Sequence, residues 1–330
     1  MPRTTYCLAG MILALSTFSA NGRAGEKATA PDDSVYGEFV GSSPCSGAIR
    51  PFLQIPAESK ADLMHWRLTL HQNPKTKAPT GYKLRCDYGP AVPGLPGLGK
   101  TRQIIERQGR WKITKGIKSN PDAVVYELAN SVALFKLDDN ILHVLNRDRS
   151  LMNGTGGWSY TLNRTEAAEK RVDPQLASTV PDMSYTISPV ATGPAVFGVF
   201  EGRTPYHGIA RELKVTAHPA GTKAKWRVTL YHDPKTLEPT TYKVEGYFFR
   251  QSAREGTWTI ERSAEGDPQQ TVFRLAPTNA GADLLLLKGD DNVLFFLDKE
   301  QKPLVGHAEF SYTLNRREVT GQPAAPVSGE

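Results

Sequence analysis

The hexapeptide Ser-Tyr-Thr-Leu-Asn-Arg occurs twice in this chain, at 159–164 and again at 311–316. Two identical copies 311 − 159 = 152 residues apart point to an internal duplication, which decides the architecture before any local propensity is weighed. Each copy alternates apolar Tyr and Leu with polar Ser, Thr and Asn. That period of two predicts a strand closing each module.

The duplication extends well beyond the hexapeptide. Tyr36–Gly41 answers to Phe197–Gly202, and Ser43-Pro44-Cys45-Ser46-Gly47 answers to Thr204-Pro205-Tyr206-His207-Gly208. The block Trp66–Leu84 matches Trp226–Val244 at eleven of nineteen positions, enough to fix the register of the two halves. Gly109–Ile113 then matches Gly256–Ile260, and Asp139-Asn140 matches Asp291-Asn292. Leu63–His71, Tyr82–Tyr88, Val124–Leu128, Val132–Leu137 and Ile141–Asn146 read as strands in the first half. Lys225–Tyr231, Tyr242–Arg250, Val272–Leu275, Leu284–Leu287 and Val293–Leu297 do so in the second. Asn73-Pro74 and Asp233-Pro234 open tight turns, Asn or Asp accepting a local backbone bond and Pro presetting φ. No long stretch carries a helical period. Short strands at regular spacing predict an all-β chain of two tandem antiparallel barrels.

The domain expectations are a signal peptide over 1–24, a barrel over 35–165, a linker over 166–193, a second barrel over 194–317 and a disordered tail over 318–330. The signal reading rests on Arg3, an apolar run from Tyr6 to Ala20 too short to span a bilayer, and small Gly22 and Ala24 before the cut. The mature chain is then expected to be soluble in the periplasm or secreted, with no transmembrane segment. The linker is rich in proline, with Pro174, Pro181 and Pro189, and Pro194 follows at its end. Gly89–Gly99 is a loop found only in the first half. The formal net charge is +6, without a run of five like charges, which argues against a nucleic-acid groove.

Export removes Cys7 and leaves Cys45 and Cys86, whose counterparts in the second half are Tyr206 and Gly246. Joint loss in one copy and an oxidising compartment imply a disulfide, which would close a loop of 86 − 45 = 41 residues and stabilise by about 4 kcal/mol in the chain-entropy account. The rival reading makes Cys45 a thiolate ligand for Cu(I) or Zn beside a histidine. His65, His71, His207, His218 and His232 share no register between the halves and form no His-x-His spacing. Gly154-Thr155-Gly156-Gly157 precedes a strand and so fails as a dinucleotide loop. The carboxylate pairs Asp138-Asp139 and Asp290-Asp291 sit in turns, and no nucleophile–base pair stands out. No catalytic residues are expected, and the chain is read as a non-enzyme. Trp66, Trp226, Tyr82 and Tyr242 are expected to pack the cores or the barrel mouths.

The order of these signals resembles the N-terminal domain of the copper-resistance lipoprotein NlpE family, a lipocalin-like barrel of bacterial envelopes. The residues that carry the resemblance are Pro44-Cys45-Ser46-Gly47 in the first half. In the second they are Gly256-Thr257-Trp258-Thr259-Ile260, Leu297-Asp298-Lys299-Glu300-Gln301-Lys302-Pro303-Leu304 and Tyr312–Arg316. It implies two lipocalin-like barrels and a role in envelope stress or copper response, through contact with envelope proteins. The family's Cys-x-x-Cys is reduced here to Cys45, after Ser43 and Pro44, and Leu8-Ala9-Gly10 is followed by Met11 where a lipid-attachment cysteine would stand. No lipid anchor and no cofactor are therefore expected, copper through Cys45 being the alternative kept open. The alternatives are a carrier of a small apolar ligand held inside a barrel and a copper- or metal-binding protein.

Overall fold

Asn73 and Asp233 do locally what their sequence context demands. The Asn73 Oδ1 accepts from the N–H groups of Lys75 and Thr76 at 2.9 Å each, and Asp233 does the same for Lys235 and Thr236 at 2.8 and 2.9 Å. These turns join the second and third strands in each half of the computed structural model. It describes residues 1, 33–92, 97–129, 131–168, 188–216, 221–249, 252–263 and 270–317. The expected signal segment beyond Met1, positions 169–187 of the expected linker and the tail 318–330 lie outside the described residues.

The first closed antiparallel barrel runs β1 (Ser34–Pro44), β2 (Leu63–Gln72), β3 (Pro79–Gly89), β4 (Gln103–Ile117), β5 (Asn120–Leu128), β6 (Ala133–Lys136), β7 (Ile141–Val144) and β8 (Thr161–Arg164). The second repeats it as β9 (Val196–Pro205), β10 (Lys223–His232), β11 (Pro239–Gly246), β12 (Arg254–Arg262), β13 (Thr271–Pro277), β14 (Leu284–Lys288), β15 (Val293–Leu297) and β16 (Thr313–Arg316). A short helix follows the opening strand in each, α1 (Arg50–Leu53) and α2 (His207–Glu212).

Closure is the work of the repeated hexapeptide. In β8, Asn163 and Arg164 pair back onto Val40 and Phe39 of β1, and in β16, Asn315 and Arg316 pair onto Glu201 and Phe200 of β9. The Arg164 side chain then ties the seam, donating from Nη1 to the Tyr36 carbonyl and from Nε to that of Asp139, both at 2.8 Å. Arg316 repeats this on Phe197 and Asp291. Each guanidinium also lies over two rings of its opening strand, Tyr36 and Phe39 or Phe197 and Phe200.

The inner faces are filled by the chain itself. Phe39, Trp66, Tyr82, Trp111, Tyr126 and Tyr160 are buried in one core, and Phe200, Trp226, Tyr242, Trp258, Phe273 and Phe296 in the other. The indole N–H groups of the four core tryptophans find acceptors, Trp66 on Ser43, Trp226 on Thr204, Trp111 on the His71 carbonyl and Trp258 on that of Tyr231. One expected strand is shorter than its pattern. Tyr242–Arg250 reads as continuous, but β11 stops at Gly246 and the chain turns through a 3-10 segment at Tyr247–Phe249. Gly246 has φ +147°, and an added Cβ there would meet the Lys225 carbonyl oxygen at 2.0 Å. The turn places Phe248 against Tyr206, stacked with ring centroids 5.1 Å apart, at the mouth of the second barrel.

A third core lies between the barrels. Val125, Phe135, Leu145 and Leu151 from the first pack with Val272, Leu287, Val293 and Phe295 from the second. These side chains point outward from their own barrels, so the two halves share one apolar layer, and residues 33–330 cluster as a single unit.

Candidate functional site

The Pro44-Cys45-Ser46-Gly47 turn lies between the end of β1 and α1. Arg50 pins it. Its Nε donates to the Cys45 carbonyl at 3.1 Å and its Nη2 to the Ala61 carbonyl at 2.9 Å, while Nη1 bonds the Ala57 carbonyl. The Cys45 N–H donates to the Asp62 carbonyl at 2.9 Å. Ser46 and Tyr160 share a hydroxyl–hydroxyl bond of 2.7 Å, which couples the turn to the closing segment. Burial pushes the Tyr160 hydroxyl up to about 12.

Cys45 and Cys86 both face this core and both are free thiols. The expected disulfide is therefore corrected. Cys86 sits in β3 opposite Trp66 of β2, whereas Cys45 leaves the end of β1, so β2 runs between the two chains. Both side chains are buried in the first core with their thiols unjoined. Burial raises the Cys86 thiol well above its ordinary value, with further contributions from Asp87 and Cys45. Cys45 is also raised by burial, against the opposing charge of Arg50. The pair's joint absence from the second barrel has a packing reason instead. Tyr206 and the Tyr247–Phe249 turn fill that mouth with rings, where Cys45 and Cys86 serve as small apolar side chains.

The other predicted residues take structural places. His65 Nδ1 meets the Ser42 hydroxyl at 2.6 Å, and that hydroxyl also donates to the Ala308 carbonyl of the other barrel. His232 Nε2 lies 2.9 Å from the Pro194 carbonyl. His71 lends its carbonyl to Trp111, His207 packs edge-on against Tyr206, and His218 lies outside the described residues. Asp290 turns out to bridge the halves, accepting from Asn292 and Val293 within its turn and from the Leu151 N–H across the junction at 3.0 Å. Among the described residues, no group of three or more His, Cys, Asp or Glu side chains is arranged to hold a metal. No helix among them is long and apolar enough to cross a membrane.

The junction itself escaped the sequence reading. Ser159 meets Ser311 at 2.6 Å and Thr161 meets Thr313 at 2.9 Å, each residue touching its own counterpart. The Gly154 N–H donates to Asn315 Oδ1 at 2.7 Å, and the Gly306 N–H donates to Asn163 Oδ1 at 2.8 Å. Both Asn amides return a bond of 3.3 Å, to the Thr155 and His307 carbonyls respectively. The glycine turn at 154–157 is thus a docking loop for the other barrel. His143 completes the layer, fully buried, with Nδ1 2.9 Å from the Thr161 hydroxyl, Nε2 3.0 Å from the Met152 carbonyl and its ring edge-on to Phe295.

No family model matches the chain, and neither does any curated protein or solved structure.

Proposed function

We propose that the chain is a non-catalytic, exported NlpE-like protein that reports envelope stress or copper through protein contacts, with the first barrel as its sensing half. The observation that carries this reading is the thiol pair. Cys45 and Cys86 are free, share one core and lie near enough for charge on Cys45 to raise the Cys86 thiol. Thiolates are the soft ligands that favour Cu(I), and two of them suit it better than the harder divalent ions. Binding requires both thiols to lose protons that burial holds in place, so capture is coupled to proton release and to movement of the turn. That movement has a route outward. Ser46 is bonded to Tyr160, and Tyr160 is flanked by Ser159 and Thr161, which hold the second barrel. The filled inner faces weigh against the carrier reading and favour contacts made on the outside.

Titration of the reduced mature protein with Cu(I) against a competing chelator tests this. One Cu(I) per chain, lost in both Cys45→Ser and Cys86→Ser, supports the reading. Uptake that is equal in all three proteins removes the thiol pair from it.

A further inference from the structure

A groove of about 460 Å³ crosses the outer face of β2, β3 and β4, lined by Arg67, Thr69, Lys83, Arg85, Glu106 and Arg107 among others. The duplication supplies a control for it, because the same face exists on the second barrel with Arg227, Thr229, Lys243 and Glu245 at the corresponding places. There the face is covered by the chain's own interdomain segment. Arg227 Nη1 donates to the Ser188 carbonyl at 2.5 Å, Lys243 Nζ bonds the Ser188 hydroxyl at 3.1 Å, and the Ser188 N–H donates to Glu245 Oε1 at 3.2 Å. Three side chains thus read the carbonyl, hydroxyl and amide of Ser188.

The charges around the central arginine differ between the halves. Arg227 stands between Glu201 and Glu245 on its neighbouring strands and bonds Glu201 at 2.6 Å. Arg67 stands between Val40 and Arg85. Both flanking carboxylates are gone, and one is replaced by a cation. Arg67 keeps Glu38 at 3.7 Å, Arg85 is held by Asp87 and Glu106 at 2.9 and 3.0 Å, and Lys83 makes no ion pair among the described residues. Arg107 reaches the Leu53 carbonyl and Gln54. Like charges directly opposite on paired strands destabilise a sheet, so an anion bridging Arg67 and Arg85 relieves a cost that the empty face carries. Exposure agrees: the Arg67 side chain is 66% accessible and that of Arg227 is 8%.

We infer that this groove binds an acidic peptide segment of a partner protein, held on β2–β4 as Ser188 is held by β10 and β11. The covered face shows that this set of side chains takes a polypeptide. The change from Glu245 to Arg85 turns an acceptor for a backbone N–H into a donor for a carboxylate. The site lies on the outer face of the sheet whose inner face carries Cys86.

The test uses the full mature protein and a fluorescein-labelled, C-terminally amidated peptide of alternating aspartate and serine, followed by anisotropy. The acidic peptide should bind, weaken as salt rises, and lose about tenfold or more in affinity when asparagine replaces aspartate. Lys83→Gln and Arg85→Glu should each weaken it about tenfold, and both sites are exposed enough for circular dichroism to show an unchanged fold. Arg85→Glu, which restores the charge of the covered face, should in turn bind a neutral peptide copying residues 186–191 better than the parent protein does. Equal affinity of parent and both variants for the acidic peptide overturns the assignment. So does displacement of the peptide by inorganic phosphate at the same concentration of charge, which would mark a site for small oxyanions.

Discussion

Ser159 and Ser311 touch hydroxyl to hydroxyl at 2.6 Å, each the other's counterpart in the duplication. A contact of a residue with its own copy occurs only on or near a two-fold axis. The flanking bonds of Asn163 and Asn315, the same interaction made once in each direction, place that axis between the two closing strands. The consequences are energetic as well as geometric.

Asn163 is fully buried and joins its barrel to the opposite docking loop through two bonds. Asn163→Ala leaves the Gly306 N–H without its acceptor and should cost about 2 kcal/mol. Because the junction is common to both halves, urea unfolding followed by tryptophan fluorescence should show both barrels shifted. A loss confined to the first barrel would mean that the junction contributes little.

His143 gives the junction a pH dependence of defined sign. Its Nε2–H must donate to the Met152 carbonyl, so Nδ1 accepts from the Thr161 hydroxyl, which in turn accepts from Thr313. Burial lowers the imidazole from its ordinary 6.5 to about 4. The unfolded chain therefore takes up the proton first as pH falls. Stability is complete above about 6.5 and declines toward pH 4 by about 3 kcal/mol in all. His143→Gln should flatten that slope in denaturant midpoints measured across the interval, and an unchanged slope would assign it to other groups.

Gly41 and Gly202 sit where the closing strand crosses the opening one. A Cβ on Gly41 would lie 2.5 Å from the Thr161 carbonyl oxygen, and one on Gly202 the same distance from that of Thr313. Gly41→Ala should destabilise by about 2 kcal/mol through forced backbone movement, Gly202→Ala should do likewise, and thermal melts would show either. Gly81→Ala, whose nearest heavy atom is 3.7 Å away, is the matched control.

Cys45 and Cys86 should both be silent toward a thiol reagent in the native mature protein and both react once it is unfolded. Their burial and raised thiol values give slow native chemistry. Rapid modification of either one without denaturant would contradict the described core.

The strands, the duplication and the closing role of the hexapeptide are all written in the chain, because period-two patterning and turn chemistry act locally. The same pattern says which residues share a face and nothing about what covers that face. Tyr160 and Leu162 pack in their own barrel as their polarity requires. Ser159, Thr161 and Asn163 look from sequence like a solvated edge, and their identity in both copies is the one signal that each faces its own likeness. The cysteines misled for a related reason. Their joint loss in the second half follows from the break at Gly246 and the rings around Tyr206, a packing change that sequence comparison alone equates with loss of a bond.

Self-matching contacts of this kind are what an isologous homodimer makes. Joining the two protomers end to end keeps the interface at millimolar effective concentration whatever the amount of protein, so assembly no longer depends on dilution. It also removes a constraint. A symmetric dimer must show every feature twice, whereas here the thiol pair and the open basic face occur once and the covered face once. The molecule has the architecture of a dimer and the valency of a monomer.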